Sequence, residues 1–340
     1  MKYSFRNDYS EMAHPKVLEA LSAIGSNQFG GYGLDEFSNK AADIIKATIS
    51  ANDADVHFIS GGTQANLVVI ASSLRPHEAV ISIESGHVFE HETGAIEATG
   101  HKICTVKGLG GKVTVSEIEE LVASHNSEHT VYPRMVYISH TTECGTIHSK
   151  AELSGISKCC RDNNLYLFLD GARLGAAINS PYSDMSYTDI AALTDVFTIG
   201  GTKNGALFGE AIVICADELK RDFRFALKQR GAMLAKGAAL GLQFDALLKD
   251  GLYDELAQHS NAMALQIAEG IKKEGYDFLY PPQTNLIIPI FPTAVADKLH
   301  QLYGFNNWET RGNSTAVRIV TSWATPQSIA KEFIADLAAT

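Results

Sequence analysis

The chain has 340 residues, 45% hydrophobic and 20% charged, a globular balance that excludes a disordered tail or a fibrous repeat. Its 28 Lys and Arg against 39 Asp and Glu give a net charge of −11, which argues against a nucleic-acid partner for the chain as a whole. No apolar run reaches the roughly 18 residues of a membrane-spanning helix. Five scattered cysteines without a CxxC pair speak against a disulfide framework or a zinc site and for a reducing, cytoplasmic setting.

In chain order, the opening MKYSFRNDYSEMAHP has no apolar core or cleavage pattern, so no signal peptide is expected. Seven short apolar runs follow: VHFIS (56–60), EAVISI (78–83), KICTV (102–106), RMVYIS (134–139), LYLFLD (165–170), DVFTIG (195–200) and AIVIC (211–215). They are β-rich and mostly unalternating, as strands buried on both faces are. Helical stretches are expected between them at Gln64–Leu74, Val115–His125, Lys150–Asn163 and Pro181–Leu193. The pattern predicts an α/β layout with a mainly parallel seven-stranded sheet, and function in such folds concentrates beyond the carboxyl ends of the strands. Residues from about Ala216 to Ser260 read as long helices, with 223–248 carrying apolar positions at helical spacing. After Pro281-Pro282 the pattern turns to short strands and a final helix from Pro326. The expected organisation is therefore a large domain over 1–250 and a small α+β domain over 251–340.

Asp170 ends an apolar strand and is followed by Gly171-Ala172-Arg173. The next strand ends in Gly200-Gly201-Thr202-Lys203-Asn204-Gly205. Adjacent strand ends would bring a carboxylate and a lysine into one crevice, with glycines allowing the backbone to approach a ligand closely. A Schiff-base amine paired with a carboxylate that keeps a pyridine nitrogen protonated is what pyridoxal phosphate needs. Ser60-Gly61-Gly62-Thr63-Gln64-Ala65-Asn66 follows a strand and opens a helix, so backbone N–H groups and the Thr63 hydroxyl can face a phosphate. In Glu84-Ser85-Gly86-His87, just past another strand, His87 can stack on a flat ring or shuttle a proton. His91 and His101 read as ordinary loop histidines. The carboxylates and histidines show no ligand spacing, and no metal is expected.

The order SGGTQAN, ESGHVFEHETGA, SHTTECGT, FLDGARLGAA and IGGTKNGALFGE resembles the threonine aldolase and β-eliminating lyase family, pyridoxal-phosphate enzymes of the aspartate-aminotransferase fold, fold type I. The likeness runs from FRNDYSE near residue 5 to AVRIVTSWAT near residue 320. It implies that Lys203 carries the cofactor as a Schiff base, Asp170 pairs with the pyridine nitrogen and His87 stacks on the ring. Gly61, Gly62 and Thr63 would bind the phosphate. Arg173 and Arg318 would hold the substrate carboxylate, for which two guanidinium forks are suited. Two departures mark a divergent branch. The family's Arg-Ser-Asp-Thr run is here Arg6-Asn7-Asp8-Tyr9, which puts Asn7 where a Ser meets the substrate. Its Gly-Gly-Gly-Met-Arg-Gln stretch is here Arg230-Gly231-Ala232-Met233-Leu234-Ala235, which leaves Arg230 or Lys236 to replace the phosphate-reaching arginine.

The family reaction implied is cleavage of a β-hydroxy-α-amino acid, L-threonine or L-allo-threonine, to glycine and an aldehyde. The alternative is β-elimination from another amino acid, releasing a keto acid and ammonia. His87 is the first candidate for the base that takes the hydroxyl proton; a water held by Thr142 or Glu143 is its rival. The fold also implies a homodimer or homotetramer with shared active sites, with Gly30-Gly31-Tyr32-Gly33 either lent across that interface or left as a surface loop.

Overall fold

In the computed structural model, which describes residues 1–340, the seven apolar runs form one sheet. Its strands are β1 Asp55–Ile59, β2 Glu78–Ile83, β3 Ile103–Val106, β4 Tyr132–Ser139, β5 Tyr166–Asp170, β6 Val196–Gly200 and β7 Glu210–Ile214. Their order across the sheet is β1-β7-β6-β5-β4-β2-β3. β7 runs antiparallel to both neighbours, and every other pairing is parallel. The carboxyl ends of β1, β2, β4, β5 and β6 therefore open onto the same rim of the sheet.

Side chains alternate between two dry faces. Along β5, Leu167 and Leu169 enter one core and Phe168 the other; along β7, Ala211 and Val213 enter the first, Ile212 and Ile214 the second. The first face is covered by helices Glu36–Ile49, Lys150–Asp162, Tyr187–Leu193 and Ala238–Leu248, the second by Gly62–Ser73 and Phe223–Gln229. Burial on both sides is why these strands read as continuous apolar runs. Each fully buried Leu, Ile or Phe contributes about 1.5–3 kcal/mol.

Two expectations need correction. The helix expected over Pro181–Leu193 begins only at Tyr187. Ser186 accepts a hydrogen bond from Asp189 N, and the Asp189 carboxylate accepts in return from Ser186 N, a reciprocal cap that fixes the start there. The run 223–248, expected as part of long helices, is divided into two shorter ones. Phe223–Gln229 stops at Gly231, whose φ of +66° is left-handed, and a helix resumes at Ala238. Between them Gly237 lies so close to the Gly33 backbone that a Cβ would stand 2.3 Å from its nitrogen.

The C-terminal part adds β8 Leu286–Ile287, β9 Ile290–Pro292, β10 Asn306–Arg311 and β11 Ser314–Val320, with β11 antiparallel to the other three. Helix Leu252–Lys273 serves two cores: Leu252, Tyr253 and Leu256 belong to the large one, Met263, Ile267 and Ile271 to the small one. A division at 250/251 thus falls at the start of this helix. Phe5, from the other end of the chain, packs into the small core against Tyr303 and Phe333. Beside it Tyr3–Ser4 pairs in parallel with Tyr303–Gly304. No helix is long and apolar enough to cross a membrane.

Candidate active site

β5 and β6 are neighbours, so the turns that follow them lie side by side. Gly200 N–H donates to the Gly171 carbonyl oxygen at 2.9 Å, and Gly171 N–H donates to Thr198 Oγ1 at 2.8 Å. A Cβ on Gly171 would stand 1.9 Å from the Thr198 carbonyl oxygen, and one on Gly200 2.2 Å from that of Ala172. Only glycine permits this approach. It brings Asp170 and Lys203 onto one cavity of about 340 Å³, lined also by Gly62, Asn66, His87, Thr141, Glu143 and Arg173.

Asp170 is buried, with two hydrogen bonds accepted at Oδ2 and one at Oδ1, which leaves Oδ1 able to accept another. Tyr137 OH donates to Oδ2 at 2.6 Å, Asn66 Nδ2 donates to the same oxygen at 3.0 Å, and Ala172 N donates to Oδ1 at 2.9 Å. Burial would raise its pKa, but the Tyr137 and Asn66 bonds, with Lys203 and His87 nearby, hold it below the usual carboxylate value. Lys203 is opposite in character. Burial first, and the Arg173 charge second, push its pKa down, while Asp8, Glu143 and Asp170 oppose the shift only through space. It is an amine kept reactive and without a hydrogen-bond partner. The buried Glu210, at the start of β7 opposite Gly200, is pushed up to about 8 by burial despite the Lys203 charge.

His87 opens the short helix after β2. Its Nδ1 stands 2.7 Å from Oε1 of the buried Glu92, which also accepts from Asn66 Nδ2 at 2.8 Å. The Glu92 bond outweighs burial and raises the imidazole pKa, helped by Glu143 and Asp170. One continuous network therefore joins His87, Glu92, Asn66, Asp170 and Tyr137. Glu92, Asn66 and Tyr137 carried no expectation from the sequence, although Asn66 lies four residues past Gly62, on the same helix face.

The turn after β1 supplies an anion cradle. Gly61 caps helix Gly62–Ser73 without any side-chain hydrogen bond to its N–H groups, so these donors stay free for an anion. A Cβ on Gly61 or Gly62 would meet nothing within 4 Å; the protein leaves room there, and Thr63 beside them is exposed. Pyridoxal phosphate needs such a cradle, an unpartnered amine and an ionised carboxylate, and the residues present fit it. Asn66 Oδ1 and Thr141 Oγ1, on two residues that line the same cavity, are buried without partners, which leaves acceptors for a polar ligand.

Outside this cavity lies an open cleft of about 1030 Å³, lined by Tyr9, His91, Asn306, Trp308 and Arg318 together with His87, Glu143, Arg173 and Lys203. Arg173 is gripped by Asp8, its Nε donating at 2.6 Å and one Nη at 3.0 Å. Asn285 Nδ2 donates to the same carboxylate at 3.0 Å. Arg318 donates only to the Arg6 carbonyl oxygen, at 3.4 Å, and no carboxylate pairs with it. Asn7 lines neither cavity. Its Oδ1 accepts from Tyr9 N and Ser10 Oγ within its own turn. Thr142 is likewise consumed by its own loop, its Oγ1 bonded to Thr146 Oγ1 at 2.7 Å. Arg230 and Lys236 are exposed and line neither cavity. Tyr32 is tied to its own chain: its N–H donates to the Ala235 carbonyl oxygen, and Lys228 Nζ stands 4.3 Å from its ring centre.

Comparison with known proteins agrees with this geometry. The beta-eliminating lyase family matches over residues 13–292. The low specificity L-threonine aldolase of a Pseudomonas species is 30% identical over 338 residues, 98% of this chain and 97% of that one. Its counterpart from Pseudomonas aeruginosa is 28% identical, covering 98% and 96%. Among solved structures, threonine aldolase from Leishmania major superposes with a TM-score of 0.97 at 46% identity, covering 99% of both chains. Aspartate aminotransferase from Thermus thermophilus shares the fold at a TM-score of 0.73 and 13% identity, covering 100% of this chain and 91% of that one.

Proposed function

The chain belongs to the β-eliminating lyase family, a carbon–carbon lyase in the fold type I architecture, and from that premise we propose that it cleaves β-hydroxy-α-amino acids of the threonine type to glycine and an aldehyde with pyridoxal phosphate. The observation that carries this reading is the pairing of an unpartnered amine, Lys203, with an ionised carboxylate, Asp170, on one cavity. Bound pyridoxal phosphate supplies an electron sink for the bond that breaks at Cα.

The chain's own residues supply the rest. Gly61, Gly62 and Thr63 offer N–H groups and a hydroxyl to the phosphate. Asp170 would keep a proton on the pyridine nitrogen, and Lys203 would provide the amine that holds the cofactor. His87, its ring fixed by Glu92, would lie against the face of the bound cofactor. Arg318 and the Arg173 nitrogen that Asp8 leaves free take the substrate carboxylate, which orients the amino acid. Asn7 has no part in this reading. Five free cysteines, four of them buried, support a cytosolic setting. Exposed Leu34, at 65%, and Phe225, at 78%, flank the tethered Tyr32 loop and support a homo-oligomer built on that side.

The test is product analysis of the cofactor-loaded protein with L-threonine and L-allo-threonine. Acetaldehyde with equimolar glycine is the expected result. Pyruvate and ammonia from other amino acids, with no aldehyde from either threonine, would establish β-elimination instead. Sedimentation of the same preparation reads the assembly.

A further inference from the structure

We propose that the Glu143 carboxylate, and not the His87 imidazole, accepts the β-hydroxyl proton of the substrate. The assignment rests on the aldolase reading and adds the identity of its proton acceptor. Glu143 stands where three cavities meet: the outer cleft, the inner cavity beside Lys203 and Asp170, and a third of about 260 Å³ behind it, lined by Tyr137, Ser139 and His148. Its one hydrogen bond is a long one from Ser139 Oγ to Oε1, at 3.3 Å, and no cation forms an ion pair with it.

The other groups of the cleft are already committed. Asp170 has both oxygens engaged, and Asp8 is clamped by Arg173 and Asn285. Thr142 is closed into its own loop. His87 has Nδ1 bonded to the buried Glu92, which favours the protonated ring, and in that form both ring nitrogens carry N–H. The groups facing Glu143 are Lys203 after β6, Asp170 and Arg173 after β5, Arg318 on β11, Tyr9, and His87 and His91 after β2. Behind it His148 is pushed down to about 4 by burial and stays neutral. Arg173 and Arg318 thus line the same cleft as the carboxylate without forming an ion pair with it, a setting in which a substrate hydroxyl can reach a free oxygen.

The step balances. As the hydroxyl proton passes to a Glu143 oxygen, an oxygen lone pair becomes the second bond of the aldehyde carbonyl and the Cα–Cβ bond breaks. Its electron pair stays with Cα, which takes up one proton to give glycine, and Glu143 returns its proton to water.

The test is Glu143→Gln, which keeps the shape and the Ser139 hydrogen bond but cannot accept a proton. The expected result is a fall of about a hundredfold or more in threonine cleavage and an unchanged cofactor absorbance. Exchange of the glycine α-proton in deuterated water, which needs no hydroxyl base, should continue at a rate near that of the unaltered protein. Cleavage within a few-fold of that protein, or loss of glycine exchange in step with cleavage, would overturn the assignment. In cofactor-free protein, NMR titration of His87 should show the ring protonating above the ordinary 6.5; a ring titrating below it would free His87 to accept and overturn the assignment too. Glycine exchange with no aldehyde from any β-hydroxy amino acid, in the unaltered protein, would instead sink the aldolase reading itself.

Discussion

Asp170 and Lys203 were legible as single residues because one ends an apolar strand and the other lies three residues past the end of the next, each beside small residues. Their supporting partners were not. Glu92, Asn66 and Tyr137 come from three separate segments, and only the fold makes them neighbours. Nor could spacing reveal that Asn7 bonds within its own turn while its neighbour Asp8 reaches Arg173. The Glu92 pairing leads to a pH prediction. The His87 pKa is raised in the folded protein, so the pair's stabilisation is complete below the ordinary imidazole value of 6.5 and is lost as pH rises through the raised value. Glu92→Gln should lower the His87 titration point seen by NMR and remove that pH-dependent loss from denaturation curves. Glu210 has the opposite consequence. Its carboxyl stays protonated in the folded chain up to about 8, against an ordinary 4.5, so stability falls as pH rises through that window. Glu210→Gln cannot ionise, and it should raise stability by about 1–3 kcal/mol near the upper end of the window, as read by urea denaturation across the range.

Among the elements, the strands were legible because burial on both faces leaves no polar alternation to misread, while their order across the sheet depends on crossovers that no local pattern encodes. The helix boundaries that shifted did so at Ser186 and Gly231, where a cap and a left-handed residue act on single positions inside otherwise helical runs. Glycines that look alike in the motifs differ in what requires them. Gly171 is fixed by backbone contact and Gly61 is not, since its would-be Cβ meets open space and its φ of −175° suits any residue. Gly171→Ala should therefore cost about 3 kcal/mol or more of stability through overpacking. Gly61→Ala should change stability by no more than about 0.5 kcal/mol yet weaken cofactor binding by about tenfold or more as the phosphate cradle fills. Chemical denaturation and cofactor titration on the same two variants separate the two roles.

At the scale of the whole molecule, Asp8 ties together three parts: the N-terminal segment that carries it, the β5 turn through Arg173, and the C-terminal part through Asn285. Burial would raise its pKa, but the Arg173 and Lys203 charges hold it below the usual carboxylate range. Removing one partner of such a buried pair leaves the other charge uncompensated. Asp8→Asn should lower stability by about 3 kcal/mol and raise KM more than it lowers kcat, because the loosened Arg173 holds the substrate carboxylate less well. Thermal unfolding and steady-state kinetics read the two effects separately. None of this was visible from composition or periodicity, since the two acidic residues that matter most to the assembly, Asp8 and Glu92, sit in segments with no pattern of their own.

The place of Phe5 bears on how the chain is made. Its ring fills a core otherwise built from residues Met263 to Leu337, and Lys2 N–H and Phe5 N–H bond to carbonyl oxygens at Leu302 and Gly304. Residues 2–5 are therefore made long before the segment around Leu302 that they dock against, and they must wait for it before they find their places. Closure across so much sequence makes late contacts intrinsically slow. A nascent chain that stops before Leu302 would carry Phe5 with nowhere to dock, and the seven-stranded sheet would be complete before the segment around Phe5 is secured.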